Sequence, residues 1–212
     1  MRDVRQRNMS PPDSDTRKRW WLLCYGLTAM QKASHTAQQL VSLCKSNRDP
    51  LFLPLAVAVH AFYARPFSKN EGVGRIDQSI VPPDLIGWHE WLMAFRMKAY
   101  CHTDSFKMKD SSEVWNDVVF EIDGGIKEIS TKTPCVQVED YIPVIDHCEI
   151  MDRMFFLEIH KLNEIYRDLI PAETGDYELR VDMPGEQLFI PYTPTHRVTL
   201  NLKGKCRTNP SS

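Results

Sequence analysis

Long apolar runs are missing from this chain of 212 residues. The longest, "LFLPLAVAVHAFYA" from Leu51 to Ala64, is 14 residues long and is interrupted by Pro54 and His60. That is too short to span a bilayer and predicts a buried helix instead. The stretch "RKRWWLLCYGL" at 17–27 has the basic flank and apolar patch of a leader peptide, but no small-residue cleavage site follows it. A cytoplasmic protein without a membrane segment is the expectation. Paired cysteines are also lacking. Six are present, none in a C-x-x-C, which disfavours a disulfide scaffold and a structural zinc site and leaves free, mostly buried thiols.

Several motifs are absent as well. His60, His89, His147 and His160 invite a metal reading, but there is no H-E-x-x-H and no Glu-x-x-His pair on two helices. The adjacent pairs His89–Glu90 and Asp146–His147 point apart on a helix. No metal or cofactor is expected. "GVGRI" at 72–76 lacks the third glycine and the preceding strand of a dinucleotide fingerprint and reads as a turn. A basic body is lacking too. Residues 21–195 carry 16 Lys and Arg against 25 Asp and Glu, whereas 1–20 carry six basic and three acidic residues and 196–212 four basic and none acidic. An acidic body argues against a tightly held nucleic acid.

What is present is helical periodicity. Residues 1–15 read as a loose terminus. A first helix is expected from about Thr16 to Ser46, capped by Asp15 or Thr16, with a seam of Leu23, Leu27, Met30, Ser34, Ala37, Val41 and Cys44 at 4-3 spacing. A second begins around Asp49 as cap with Pro50 in the first turn and ends before Pro66. A third runs from about Pro83 to His102 or Thr103 along Leu85, Trp88, Leu92, Phe95, Ala99 and His102. Between Glu113 and Thr131 the period changes to two around "DGG", a hairpin signal. A fourth helix spans about Val138 to Leu169. Pro143 kinks it or sets its start, and Asp152 is out of place on its apolar seam. Residues 171–212 form a small irregular or β tail. The expected fold is mainly α: an antiparallel helical bundle over 16–170 with a β-hairpin at about 114–131.

The stretch "FRMKAYCHTD", Phe95 to Asp104, ends the third helix. Six residues from Arg96 to His102 give about 9 Å of rise and about 240° of rotation, so the two are not neighbours on one ideal helix. By spacing, His102 is most simply a satisfied core histidine near a helix end. The surrounding residues change that reading. Arg96, Lys98, Tyr100, His102, Thr103 and Asp104 together resemble the motif of the HEPN superfamily, helical bundles with an Arg, four to six residues and a His near the end of a long helix. The resemblance covers roughly 16–170.

It implies a metal-independent endoribonuclease, of the toxin or defence kind, working as a homodimer whose motif helices line one cleft. A site shared across a two-fold axis removes the rotational problem. Arg96 and His102 would be catalytic: His102 moves protons at the 2′ or 5′ oxygen, and Arg96 stabilises phosphorane-like charge. Lys98, Tyr100 and Asp104 would support them. Outside the motif, Arg65 in "YARPF" is a further supporting candidate, either reaching phosphate or, as a helix-end arginine beside Pro66, binding carbonyls. The resemblance also implies RNA or a nucleotide as ligand and a cognate antitoxin or regulatory protein as partner. Met97 departs from the pattern, because catalytic members often carry a polar residue after the motif arginine. The alternative is a non-catalytic HEPN-fold module for dimerisation or for nucleotide or partner binding.

Overall fold

The computed structural model describes residues 11–96, 106–107, 114–115, 118–123, 125–131, 136–181 and 188–192. Its first helix, α1, is Ser14–Leu43, starting two residues and ending three residues earlier than the spacing suggests. Asp13 is the cap: its carboxylate accepts from the Thr16 amide at 2.8 Å, which holds the carboxyl below the usual range. Cys44 closes the helix through its amide on the Leu40 carbonyl. The second helix, α2, is Phe52–Ala64. Here Asp49 is not the helix cap. Its carboxylate accepts from the Leu51 amide and shapes the turn that precedes α2. The third, α3, is Ile86–Ala94 after a 3₁₀ turn at Pro83–Leu85. It widens into a π-type turn at 95–96, and its expected continuation to His102 lies outside the described residues. The fourth, α4, is Ile142–Ile165. Pro143 sits in its first turn, so this proline sets the start of the helix and does not kink it.

Side-chain contacts fix the helix directions. His60 stacks on Phe95 while Tyr63 meets His89, so α2 and α3 run antiparallel. Phe52 meets Tyr141 while Phe67 meets Phe155, so α2 and α4 run parallel. Arg19 pairs with Glu158 and Trp20 stacks on Tyr166, which places the start of α1 against the end of α4. The result is an up-down-up-down bundle. Its core is the inner faces of all four helices, including Leu23, Met30, Ala33, Ala37 and Leu40 of α1, Val59 and Tyr63 of α2, Leu92 of α3, and Cys148, Met151 and Phe155 of α4. The seam expected for α1 is buried at Leu23, Met30, Ser34, Ala37 and Cys44 and half-buried at Leu27 and Val41.

Short antiparallel pairs complete the chain. β1 (Phe106–Lys107) pairs with β2 (Val114–Trp115). β3 (Val118–Ile122) pairs with β4 (Ile126–Thr131) around the "DGG" turn, as the alternation predicts, with an irregularity at Glu121–Ile122. In the tail, β5 (Tyr177–Leu179) pairs with β6 (Phe189–Pro191), and Phe189 packs edge-on against buried Trp20. Residues 70–74 form the expected turn: Asn70 and Gly74 exchange backbone hydrogen bonds, and both Gly72 and Gly74 have positive φ.

α1 packs tightly on α4 at Gly26, where a Cβ would lie 2.7 Å from a ring carbon of Phe155. Phe155 is fully buried and packed against Phe67, so its ring has little room to yield. Alanine is favoured over glycine within a helix by about 1 kcal/mol, whereas overpacking a core costs about 1–3 kcal/mol. Gly26→Ala should therefore lower stability by about 1 kcal/mol, and Gly26→Leu by more than about 3 kcal/mol, in urea denaturation. A stabilised alanine variant would mean that α1 and α4 have slack at this point.

Candidate functional site

The sequence motif enters the structure at Arg96, a half-buried residue in the π-type turn that follows Ala94. His102, Lys98, Tyr100, Asp104 and Met97 lie outside the described residues. Arg65, expected as a supporting residue, is exposed just after α2, with its guanidinium carbon 5.3 Å from the centre of the Phe62 ring. Its neighbours place it at the other end of the helix pair. His60 is level with Phe95, whereas Tyr63 and Phe67 are level with His89. Arg65 thus belongs with the His89 end of α3, roughly two turns from Arg96, and the structure does not bring the two arginines together.

The polar residues that the fold does bring together are histidines and tyrosines in the core, a grouping not expected from spacing. His60 Nδ1 lies 3.1 Å from the Leu92 carbonyl, and its Nε2 lies 3.1 Å from the Tyr141 hydroxyl. A carbonyl only accepts, so Nδ1 carries the proton and Nε2 accepts from Tyr141. The Tyr63 hydroxyl bridges His89 Nδ1 at 2.8 Å and His147 Nε2 at 2.9 Å. His147 Nδ1 is buried without a partner. Orphaned acceptors are better tolerated than orphaned N–H donors. The network therefore runs one way: His147 Nε2–H donates to Tyr63, and Tyr63 O–H donates to His89 Nδ1.

Burial holds these imidazoles neutral. His60 is fully buried and its pKa is pushed down to about 4, with the Leu92 carbonyl opposing the shift. His147 is also pushed down to about 4, first by burial and then by His89. His89 is lowered by burial, with Glu90 opposing. The Tyr63 phenol is pushed up by burial, and the Cys148 thiol next to His147 in sequence is pushed up to about 12 by the same cause. These groups hold protons in fixed places; His60, Tyr63, His89 and His147 line neither of the two surface grooves, whereas Cys148 lies at the floor of the smaller one. Among the described residues no group of three or more His, Cys, Asp or Glu could hold a metal ion. The two nitrogens that approach each other, on His89 and His147, are both engaged by Tyr63.

Two grooves open at the surface. One, of about 550 Å³, lies between the start of α1, residues 73–80 and α4. Its apolar floor includes Leu22, Leu23 and Ile76, and its rim balances Lys18, Arg19 and Arg75 against Asp15, Asp77 and Glu158. The other, of about 350 Å³, lies between α1 and α4 and is lined by Ser34, His35, Asp152 and Arg153 among others. Asp152, the residue out of place on the α4 seam, turns one carboxylate oxygen inward without a partner. Arg96 lines neither groove. Trp20 is buried, and half-buried Trp91 packs on His60 of α2 and on half-buried Trp88, so these rings pack the bundle. No described helix is long and apolar enough to cross a membrane. The chain matches no family model, no curated protein and no solved structure.

Proposed function

We propose that this chain is a metal-independent endoribonuclease of HEPN type, with Arg96 and His102 as its catalytic pair. The observation that carries the reading is the place of Arg96: a half-buried arginine in the π-type turn that follows Ala94 of α3. Single π-type turns within helices recur at functional sites. The ribose 2′-OH attacks the adjacent phosphate, and the 5′ oxygen leaves. His102 carries the proton between the two oxygens, and Arg96 balances the charge that builds on phosphorus. Two copies would supply two such pairs to one cleft.

The test uses mixed single-stranded RNA in EDTA. The parent protein should leave 2′,3′-cyclic phosphate ends. His102→Ala should lose about 100-fold or more of the rate, the usual contribution of general acid–base catalysis, with its helical signal unchanged. Equal cleavage by His102→Ala would sink the proposal. A second reading, a non-catalytic helical module that binds a partner or nucleotide, draws support from the acidic body between 21 and 195. It predicts no cleavage by either protein.

A further inference from the structure

Charge is divided unevenly between the helices. Residues 14–69, which hold α1, α2 and the turn between them, carry eight Lys and Arg against two acids. One acid, Asp15, lies in the first turn of α1, and the other, Asp49, already accepts from the Leu51 amide. Residues 70–195 carry 11 basic against 24 acidic residues. The acidic balance thus belongs to the later part of the chain, and the α1–α2 layer is basic.

Aromatic rings share that layer with the cations. On α1, Lys18, Trp21, Tyr25, Thr28 and Lys32 recur at 3-4 spacing and form one stripe about 21 Å long. Lys18, Trp21 and Tyr25 are half-buried, and Thr28 and Lys32 are exposed. Trp21 and Tyr25 lie ring on ring, with 5.0 Å between centres and 9° between planes. Lys32 places its Nζ 6.0 Å from the centre of the half-buried Phe62 ring of α2, and the guanidinium carbon of exposed Arg65 is 5.3 Å from the same centre. Among the described residues Lys18, Lys32 and Arg65 make no ion pair with a carboxylate. Two cations gathered at one ring repel each other, and an anion held between them relieves that repulsion.

We propose that this α1–α2 face binds single-stranded RNA, with phosphates on Lys32 and Arg65 and bases on the Trp21–Tyr25 stack. A single strand is held by cations that follow its backbone and by rings on which its unpaired bases stack, and both are present here. A duplex keeps its base faces inside and would leave the rings idle, as would an acidic peptide. A lipid surface is engaged by apolar side chains that stand out from a helix, whereas Trp21, Tyr25 and Phe62 lie half-buried along theirs. RNA as the occupant rests on the ribonuclease reading. The face itself is remote from Arg96, because Arg65 stands at the opposite end of the α2–α3 pair. It would hold a strand away from the scissile bond, so binding and cleavage are separable.

The experiment is fluorescence anisotropy of a labelled, mixed-sequence single-stranded RNA in EDTA over a salt series. The full chain carries His102→Ala, so that cleavage does not consume the probe, and the parent is run beside it for cleavage. Lys32→Gln and Arg65→Gln should each make the slope of log affinity against log salt shallower by about 0.7, the value for one phosphate on a single strand. Trp21→Leu should weaken binding by about tenfold or more at an unchanged slope, as the loss of a stacked base predicts, and Tyr25→Leu gives the same readout through the other ring. Lys161→Gln, on acidic α4, should change neither quantity. No binding at about 50 mM salt overturns the proposal. So does binding that Lys32→Gln and Arg65→Gln both leave unchanged. Competition by an RNA duplex, polyglutamate or phosphatidylserine vesicles as effective as that by unlabelled single strand would make this a charged or lipid-binding surface, and overturns it too. Failure here and failure of the ribonuclease are distinguishable. RNA bound at this face but never cleaved by the parent supports the site and removes the ribonuclease. RNA cleaved by the parent, with binding indifferent to the substitutions on α1 and at Arg65, does the reverse.

Discussion

Replacing Tyr63 with phenylalanine should cost about 2–4 kcal/mol of stability, a loss out of proportion to one hydroxyl. That oxygen is the shared partner of two buried imidazoles, at 2.8 Å from His89 and 2.9 Å from His147. Without it the His147 Nε2–H and the His89 Nδ1 lone pair are both buried and unmet. Each unsatisfied buried group costs about 1–3 kcal/mol. His147 already has one unpartnered nitrogen, so the variant leaves its ring with no hydrogen bond from this network. Phenylalanine fills the same space, so no cavity complicates the comparison. Urea denaturation of the parent, Tyr63→Phe and Tyr63→Phe/His147→Leu separates the causes. If the orphaned N–H carries the cost, removing the imidazole as well should recover a good part of it. A Tyr63→Phe protein within about 0.5 kcal/mol of the parent would mean that water or repacking supplies the lost partners.

That network shows where the sequence was legible and where it was not. Helix existence follows from the 4-3 spacing of apolar residues, and the four helices lie where the spacing puts them. Their ends differ because caps depend on which neighbouring carboxylate wins. Asp13, not Asp15, satisfies the first amides of α1, and Asp49 serves a turn ahead of α2. The hairpin at 118–131 was readable because strand alternation and "DGG" agree. The β5–β6 pair was only half visible: "QLFIPY" suggests a strand, but its partner Tyr177–Leu179 alternates over so few residues that it does not stand out, and it is held by pairing and by Phe189 on Trp20. "HRVTLNL" further along the tail has a strand-like composition and lies outside the described residues.

The candidate site divides in the same way. The motif around Arg96 is local in sequence and can be read as a string, but what it does depends on residues that the string does not bring together. Arg65 carries the right charge for a phosphate site, but the antiparallel course of α2 and α3 takes it to the far end. The histidine network is the opposite case. His60, His89 and His147 are 29 and 58 residues apart in sequence, and no short pattern joins them. A signal was nonetheless present. Each sits on the apolar face of its helix, and Tyr63 and Tyr141 do as well. Polar aromatic groups on core faces need partners, so several of them on packed helices must find one another.

The same burial predicts that this protein loses stability in mild acid. In the unfolded chain a histidine protonates near pH 6.5, whereas His60 and His147 in the folded state hold out to about 4. The unfolded state therefore binds more protons between those values. The stability these groups contribute is fully present above about 6.5 and falls as the pH drops from 6.5 toward 4. Each shift corresponds to about 3 kcal/mol, at about 1.4 kcal/mol per pH unit and per proton. Together they approach the whole stability of an ordinary domain, about 5–15 kcal/mol. Unfolding free energies from urea at pH 7, 6, 5 and 4.5 should fall with a slope near two protons below pH 6. In His60→Phe, a ring of similar shape that cannot take up a proton, the slope should drop by about one. A flat profile in the parent would mean that the core admits the charged imidazole at little cost. An unchanged slope in His60→Phe would assign the proton uptake to other groups.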